Sequence, residues 1–109
     1  METYNKYSWE NWTAKYCKGF SDVELDIIGD DLLESFPAYG IEKEDGNIYL
    51  MANAGIKSFR STAIIIPKVL AEIKKNGTIR IYGEHPRYNE KTANEIMRIY
   101  HKYADNKSK

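Results

Sequence analysis

Residues 58–75, SFRSTAIIIPKVLAEIKK, decide how this chain folds. Phe59, Ala63, Ile66, Leu70 and Ile73 step by four, three, four and three, which is one face of a helix. Pro67 sits inside that pattern, where it would remove a backbone hydrogen bond and kink the helix. A rival reading makes residues 62–66 a strand and starts a helix at Pro67. Three consecutive isoleucines support it, because β-branched side chains suit a pleated surface. The spacing favours a single helix over about 58–75. Lys74, Lys75 and Gly77 supply a C-terminal end for either version.

Outward from this stretch the signals are more local. Asp45-Gly46 suits a tight hairpin turn, with Ile41 before it and Ile48 and Leu50 alternating after it, so a β-hairpin is expected over about 39–53. Ala54-Gly55 then reads as a strand break. Residues 78–82 (TIRIY) alternate as a strand, and residues 83–88 form a loop. Asn89 caps a last helix that buries Ala93, Ile96, Tyr100 and Tyr103 or Ala104. Upstream, a helix opening at Ser8 would align Trp9, Trp12, Tyr16 and Phe20, with Gly19 closing it. Val23, Leu25 and Ile27 alternate with acids, as on a half-buried strand. Ser21 and Glu24 instead have capping-box spacing, which would start a helix running through Leu32 and Phe36. Gly29 favours a strand followed by a short helix near 30–35, ended by Pro37. The expected fold is therefore α+β, with a small mixed or antiparallel sheet of three to four strands and three to four helices packed mainly on one face. Residues 1–104 are expected to form one globular domain, and 105–109 a frayed polar tail.

The chain has 109 residues, 16 basic and 16 acidic, with a formal net charge of zero. That total hides a sorting by position. Residues 1–46 carry eleven acids against four lysines, and residues 47–109 carry twelve bases against five acids. Such asymmetry points to a charged partner or to self-association. Nine tyrosines suit half-buried and interfacial positions. The one cysteine, Cys17, rules out an internal disulfide and fits a reducing compartment. No apolar run reaches the length of a signal peptide or a membrane span, so a cytoplasmic protein without membrane attachment is expected.

Four sets of residues could carry function. Asp22, Glu24, Asp26, Asp30, Asp31 and Glu34 form a run of acids with no base among them. Its first reading is the solvated face of an edge strand, its second a docking face for a basic partner. The calcium-loop spacing is absent, and no metal site or cofactor is expected. Residues 55–62 hold Lys57, Ser58, Arg60, Ser61 and Thr62 ahead of the expected helix, where free N–H groups could hold a phosphate; Ser58 serves equally as a plain helix cap. The loop 83–88 contains Glu84, His85 and Arg87, the types needed for acid–base work on a phosphodiester. These are weak catalytic candidates, since no nucleophile is set by spacing and His85 reads first as a turn residue. Finally Lys57, Arg60, Arg80, Arg87 and other bases interleave with tyrosines, which suits phosphate contact and base stacking.

The leading expectation is a non-enzymatic binding protein such as an inhibitor, adaptor or immunity-type module. It would act through an acidic patch over 22–34 and a basic surface over 57–102, with another protein, or a second copy of itself, as partner. The alternative is a nucleic-acid-binding domain using residues 55–102. A small phosphodiester-acting enzyme built on His85 ranks third.

Overall fold

The computed structural model describes residues 12–107. In chain order these form β1 (Trp12–Lys15), α1 (Asp22–Ser35), β2 (Gly40–Glu44), β3 (Asn47–Phe59), β4 (Thr62–Ile73), β5 (Thr78–Ile81) and α2 (Glu90–Lys107). All five strands join one antiparallel sheet in the order β1-β5-β4-β3-β2. The architecture is α+β, with five strands and two helices among the described residues. It corrects the expected three to four strands and three to four helices.

The largest correction concerns residues 58–75. They form no helix. Thr62–Ile73 is one strand, and it pairs with β3 from Phe59↔Thr62 back to Ile48↔Ile73. Neither helical version survives, because the three isoleucines and Val69 prefer extended backbone and Pro67 cannot donate within a helix. The strand accommodates Pro67 where β4 has no second neighbour among the described residues, since β5 pairs only with Ala71–Ile73. Two register shifts interrupt the pairing of β3 with β4. Leu50 faces Ala71 while Met51 faces Val69, leaving Leu70 as an extra residue. Farther out, Asn53 faces Pro67 and Ile56 faces Ile65, so Ala54 and Gly55 together oppose Ile66. These are β-bulges, which change the phase of the apolar pattern without ending the strand. Ala54-Gly55 is therefore a bulge in β3 and not a break.

The segment expected as a strand near 22–27 is the first turns of α1. Its capping box is complete. Ser21 Oγ accepts from the Glu24 N–H at 3.1 Å, and Glu24 Oε1 accepts from the Ser21 N–H at 2.8 Å. The buried positions are Leu25, Ile28, Gly29 and Leu32, a helical period. Gly29 is no breaker here. A Cβ at that position would stand 3.5 Å from the Ile41 side chain, an ordinary packing contact, so the helix runs through this residue without strain. Trp12 and Ala14, assigned by spacing to a first helix, are in β1; the proposed start of that helix at Ser8 and Trp9 lies outside the described residues.

The hairpin over β2 and β3 forms as expected. Asp45 and Gly46 both have positive φ, 54° and 82°, as a two-residue loop matched to strand twist requires. β5 and α2 also follow the sequence reading. Asn89 caps α2, its Oδ1 accepting from the Thr92 N–H at 2.8 Å. The helix continues through Lys107, past the expected fray point.

The core lies on one face of the sheet. Ile48, Leu50, Ala71, Ile73, Ile79, Ile81 and Trp12 alternate along their strands with outward residues. They pack with Leu25, Ile28 and Leu32 of α1 and Ala93, Ile96, Met97 and Tyr100 of α2. Tyr100 ties the far end together: its hydroxyl donates to the Gly77 carbonyl and accepts from the Tyr16 N–H at 3.2 Å. Burial holds its phenol well above the usual tyrosine range. Gly77 has φ of 94°, and a Cβ there would fall 2.3 Å from the Cys17 carbonyl oxygen. Cys17 itself is buried.

Candidate binding surfaces

The two central strands outrun their neighbours. β2 covers β3 only as far as Met51, and β5 covers β4 only over Ala71–Ile73. Residues 54–66 are thus a two-stranded arm with no third strand on either edge among the described residues. The molecule measures 55 × 30 × 22 Å along its principal axes. At the tip, Arg60 and Ser61 form the two-residue loop with φ of 47° and 69°. Both are non-glycine residues in the left-handed region, a conformation costing roughly 1–2 kcal/mol each.

The arm is apolar and cationic at once. Ile56, Ile64, Ile65 and Ile66 are 66%, 51%, 62% and 36% exposed. Exposure of four isoleucines over the two faces of a short ribbon is more than solvent-facing strands ordinarily carry. Ile56 and Ile65 are cross-strand partners and share a face; Lys57 and Ile64 pair on the other. No acid occurs from Gly46 through Ala71, whereas Lys57, Arg60 and Lys68 do. Ser58, Ser61 and Thr62 add hydroxyls near the tip.

The root of the arm is clamped by the loop after β5. His85 is buried, and Arg87 N–H donates to its Nδ1 at 2.9 Å. The ring proton therefore sits on Nε2, which lies 3.2 Å from both the Ala52 and Lys68 carbonyl oxygens. Those two residues face each other across β3 and β4. Arg87 adds a hydrogen bond from Nε to the Asn53 carbonyl at 3.2 Å. Both imidazole nitrogens are thus spent on backbone, and His85, with Arg87, acts as a fastener. Glu84, the third residue of that weak catalytic set, is exposed beside it. An open groove of about 640 Å³ runs past the root, lined by Tyr39, Ile41, Met51, Ile65 and Arg87 among others.

The remaining sequence candidates scatter. Lys57 and Ser58 lie on β3 and Arg60 in the tip loop, so the structure gathers these three on the arm. They precede no helix, and the phosphate-holding helix N-terminus expected there does not exist. Arg80 is in the body, on the sheet face away from the helices. Its guanidinium carbon sits 4.8 Å above the Tyr82 ring, and its Nε is buried with no hydrogen-bond partner among the described residues. Burial raises the Tyr82 hydroxyl above its ordinary range.

The acidic run divides in two because it is helical. Glu24 and Asp31 turn toward α2. Lys107 donates to Glu24 Oε1 at 2.8 Å, and this bond, with that from the Ser21 amide, holds the Glu24 carboxyl below its ordinary range. Tyr103 donates to Asp31 Oδ2, joined by Lys102 at 3.2 Å, and the tyrosine bond is the main cause of a lowered Asp31 pKa. Asp26 pairs with Lys43 of the neighbouring hairpin. Asp22, Asp30 and Glu34 have no ion pair among the described residues and remain exposed. They flank Val23 and Ile27, which are 67% and 43% exposed. The opposite charges of the two chain halves are therefore partly interleaved in space.

Among the described residues, no three His, Cys, Asp or Glu side chains are grouped to hold a metal ion, and no helix is long and apolar enough to cross a membrane. No family, curated protein or solved structure matches this chain.

Proposed function

We propose that this protein is a non-enzymatic binding module whose working element is the arm over residues 54–66. The observation that carries the reading is the exposure of four isoleucines on a ribbon that its own sheet leaves uncovered. Burying such a surface against a partner gains roughly 25 cal/mol per Å² of apolar area. The ribbon arrives already ordered, which limits the entropy lost on binding. The test is quantitative capture of partners by the intact chain and by an Ile56→Thr, Ile64→Thr, Ile65→Thr variant. Threonine keeps the β-branched shape and leaves the core untouched. The partners held by the intact chain should be lost by the variant while its thermal unfolding stays the same. Equal yields of the same partners would refute the reading.

Nucleic acid is the second reading, favoured by the acid-free run from Gly46 through Ala71. A two-stranded ribbon fits the major groove of a duplex. Anisotropy with labelled duplex and single-stranded probes at low and high salt decides it. Phosphate contact predicts affinity that falls steeply with salt and weakens in Lys57→Ala, Lys68→Ala. No affinity at low salt discards it.

A further inference from the structure

We propose that the partner of the arm is a second copy of this chain, and that the arm of one copy lies along the outer face of α1 of the other. This rests on the arm being the binding element.

The argument is complementarity between two surfaces of one molecule that do not meet within it. Val23, Ile27, Asp30 and Glu34 follow one another at helical spacing on α1, opposite the buried Leu25, Ile28 and Leu32. All four are exposed. An apolar pair at one end of this stripe is bordered by acids with no ion pair among the described residues. The arm has the matching character: Ile64 and Ile66 share a face of β4 with Lys68, Lys57 pairs with Ile64, and the run from Gly46 through Ala71 contains no acid. The lengths also agree. From Val23 to Glu34 a helix rises about 16 Å, and six residues of ribbon span about 20 Å. The arm cannot reach its own α1, since its isoleucines remain open to solvent in the folded chain. If each copy gives its arm and receives one, the two contacts are related by a two-fold axis and the assembly closes as a dimer. A duplex nucleic acid would meet the lysines, but it leaves the apolar pair on α1 unused.

The experiment is sedimentation of the full chain across a wide concentration range, at low and high salt. Mass should rise with concentration above the 12.7 kDa of the single chain, and less so at high salt. Two variants each remove one surface: Lys57→Glu with Lys68→Glu on the arm, and Asp30→Lys with Glu34→Lys on the helix. Circular dichroism and thermal unfolding confirm that both fold; lysines late in a helix are favourable to its dipole. Each variant alone should stay monomeric. Their mixture should associate again, because one retains an intact helix stripe facing a lysine arm and the reversed pair now attracts as well. A wild-type chain that remains monomeric overturns the proposal, as does a mixture that fails to associate or a variant that associates like wild type. The arm's role is judged separately. If the wild type is monomeric and the threonine variant loses a captured protein or a duplex, the second copy is refuted and the arm reading stands. If the variant loses nothing, both fall.

Discussion

Replacing Tyr100 with phenylalanine tests the part of the fold that closes the sheet onto α2. The ring stays, so its packing against Phe20, edge-on at 5.7 Å between centroids, is kept. Only the hydroxyl is lost. Its bond to the Gly77 carbonyl disappears, as does the acceptor for the Tyr16 N–H. The two losses differ in size. Tyr16 is 37% exposed, so water can replace the phenol there. Gly77 is buried, and its carbonyl is left without that partner. An orphaned buried polar group costs about 1–3 kcal/mol, and the exposed bond adds about 0.5 kcal/mol. The expected loss is roughly 2 kcal/mol. For a domain near 100 residues this lowers the melting temperature by about 8–12 °C. Urea titration should give the same loss with an unchanged slope, since the surface exposed on unfolding does not change. A loss below about 0.5 kcal/mol would show that the Gly77 carbonyl is not held by Tyr100, and the account of this end of the fold would fail.

Two further outcomes follow from other contacts. The lowered Asp31 pKa means the folded state favours the ionised carboxyl. Its contribution is fully present above the unfolded-state value near 4 and is lost as pH falls through the lower folded value. In Tyr103→Phe, stability measured by urea titration should therefore fall less between pH 6 and pH 3 than in wild type; an identical acid dependence would show that the tyrosine is not what holds Asp31 down. At the arm tip, Ser61→Gly removes a non-glycine residue from φ of 69°. The arm should gain about 1 kcal/mol of local stability, read as roughly fivefold slower amide exchange over 56–65. Faster or unchanged exchange would contradict the turn geometry.

The elements read correctly from sequence were those fixed by a few adjacent residues. Asp45-Gly46 set the first hairpin, and Asn89 set the start of α2. Both signals are chemical requirements of one turn or one cap, so they do not depend on what packs elsewhere. The misread segments were those where two periods competed. At 22–27 alternation outweighed the capping box, although Ser21 and Glu24 each satisfy the other's backbone and, of the alternating set, only Leu25 is buried while Val23 and Ile27 are exposed. At 58–75 the extra residue at Leu70 breaks strict alternation in β4, and of the positions that suggested a helical face Ala63 and Ile66 are exposed while Leu70 and Ile73 are buried. A bulge is visible only when the opposite strand is known, and β3 was expected to end before it began to pair there. The arm was hidden by the same error, since three isoleucines in a helix would be core. What pointed to it was their β-branching, and Pro67 among them. The acidic run was legible as charge and not as surface. Only helical geometry sends Glu24 and Asp31 to α2 and leaves Asp30 and Glu34 outside.

The clamp at the root of the arm has a mechanical meaning. One imidazole N–H faces carbonyls on both strands, so β3 and β4 cannot splay there without losing it. The arm therefore behaves as a single lever, not as two strands free to slide. His85 lies four residues before the Asn89 cap. Force applied at the isoleucines passes through that short, hydrogen-bonded loop into the first turn of α2. A load at the tip would be felt in the packing of the helical layer.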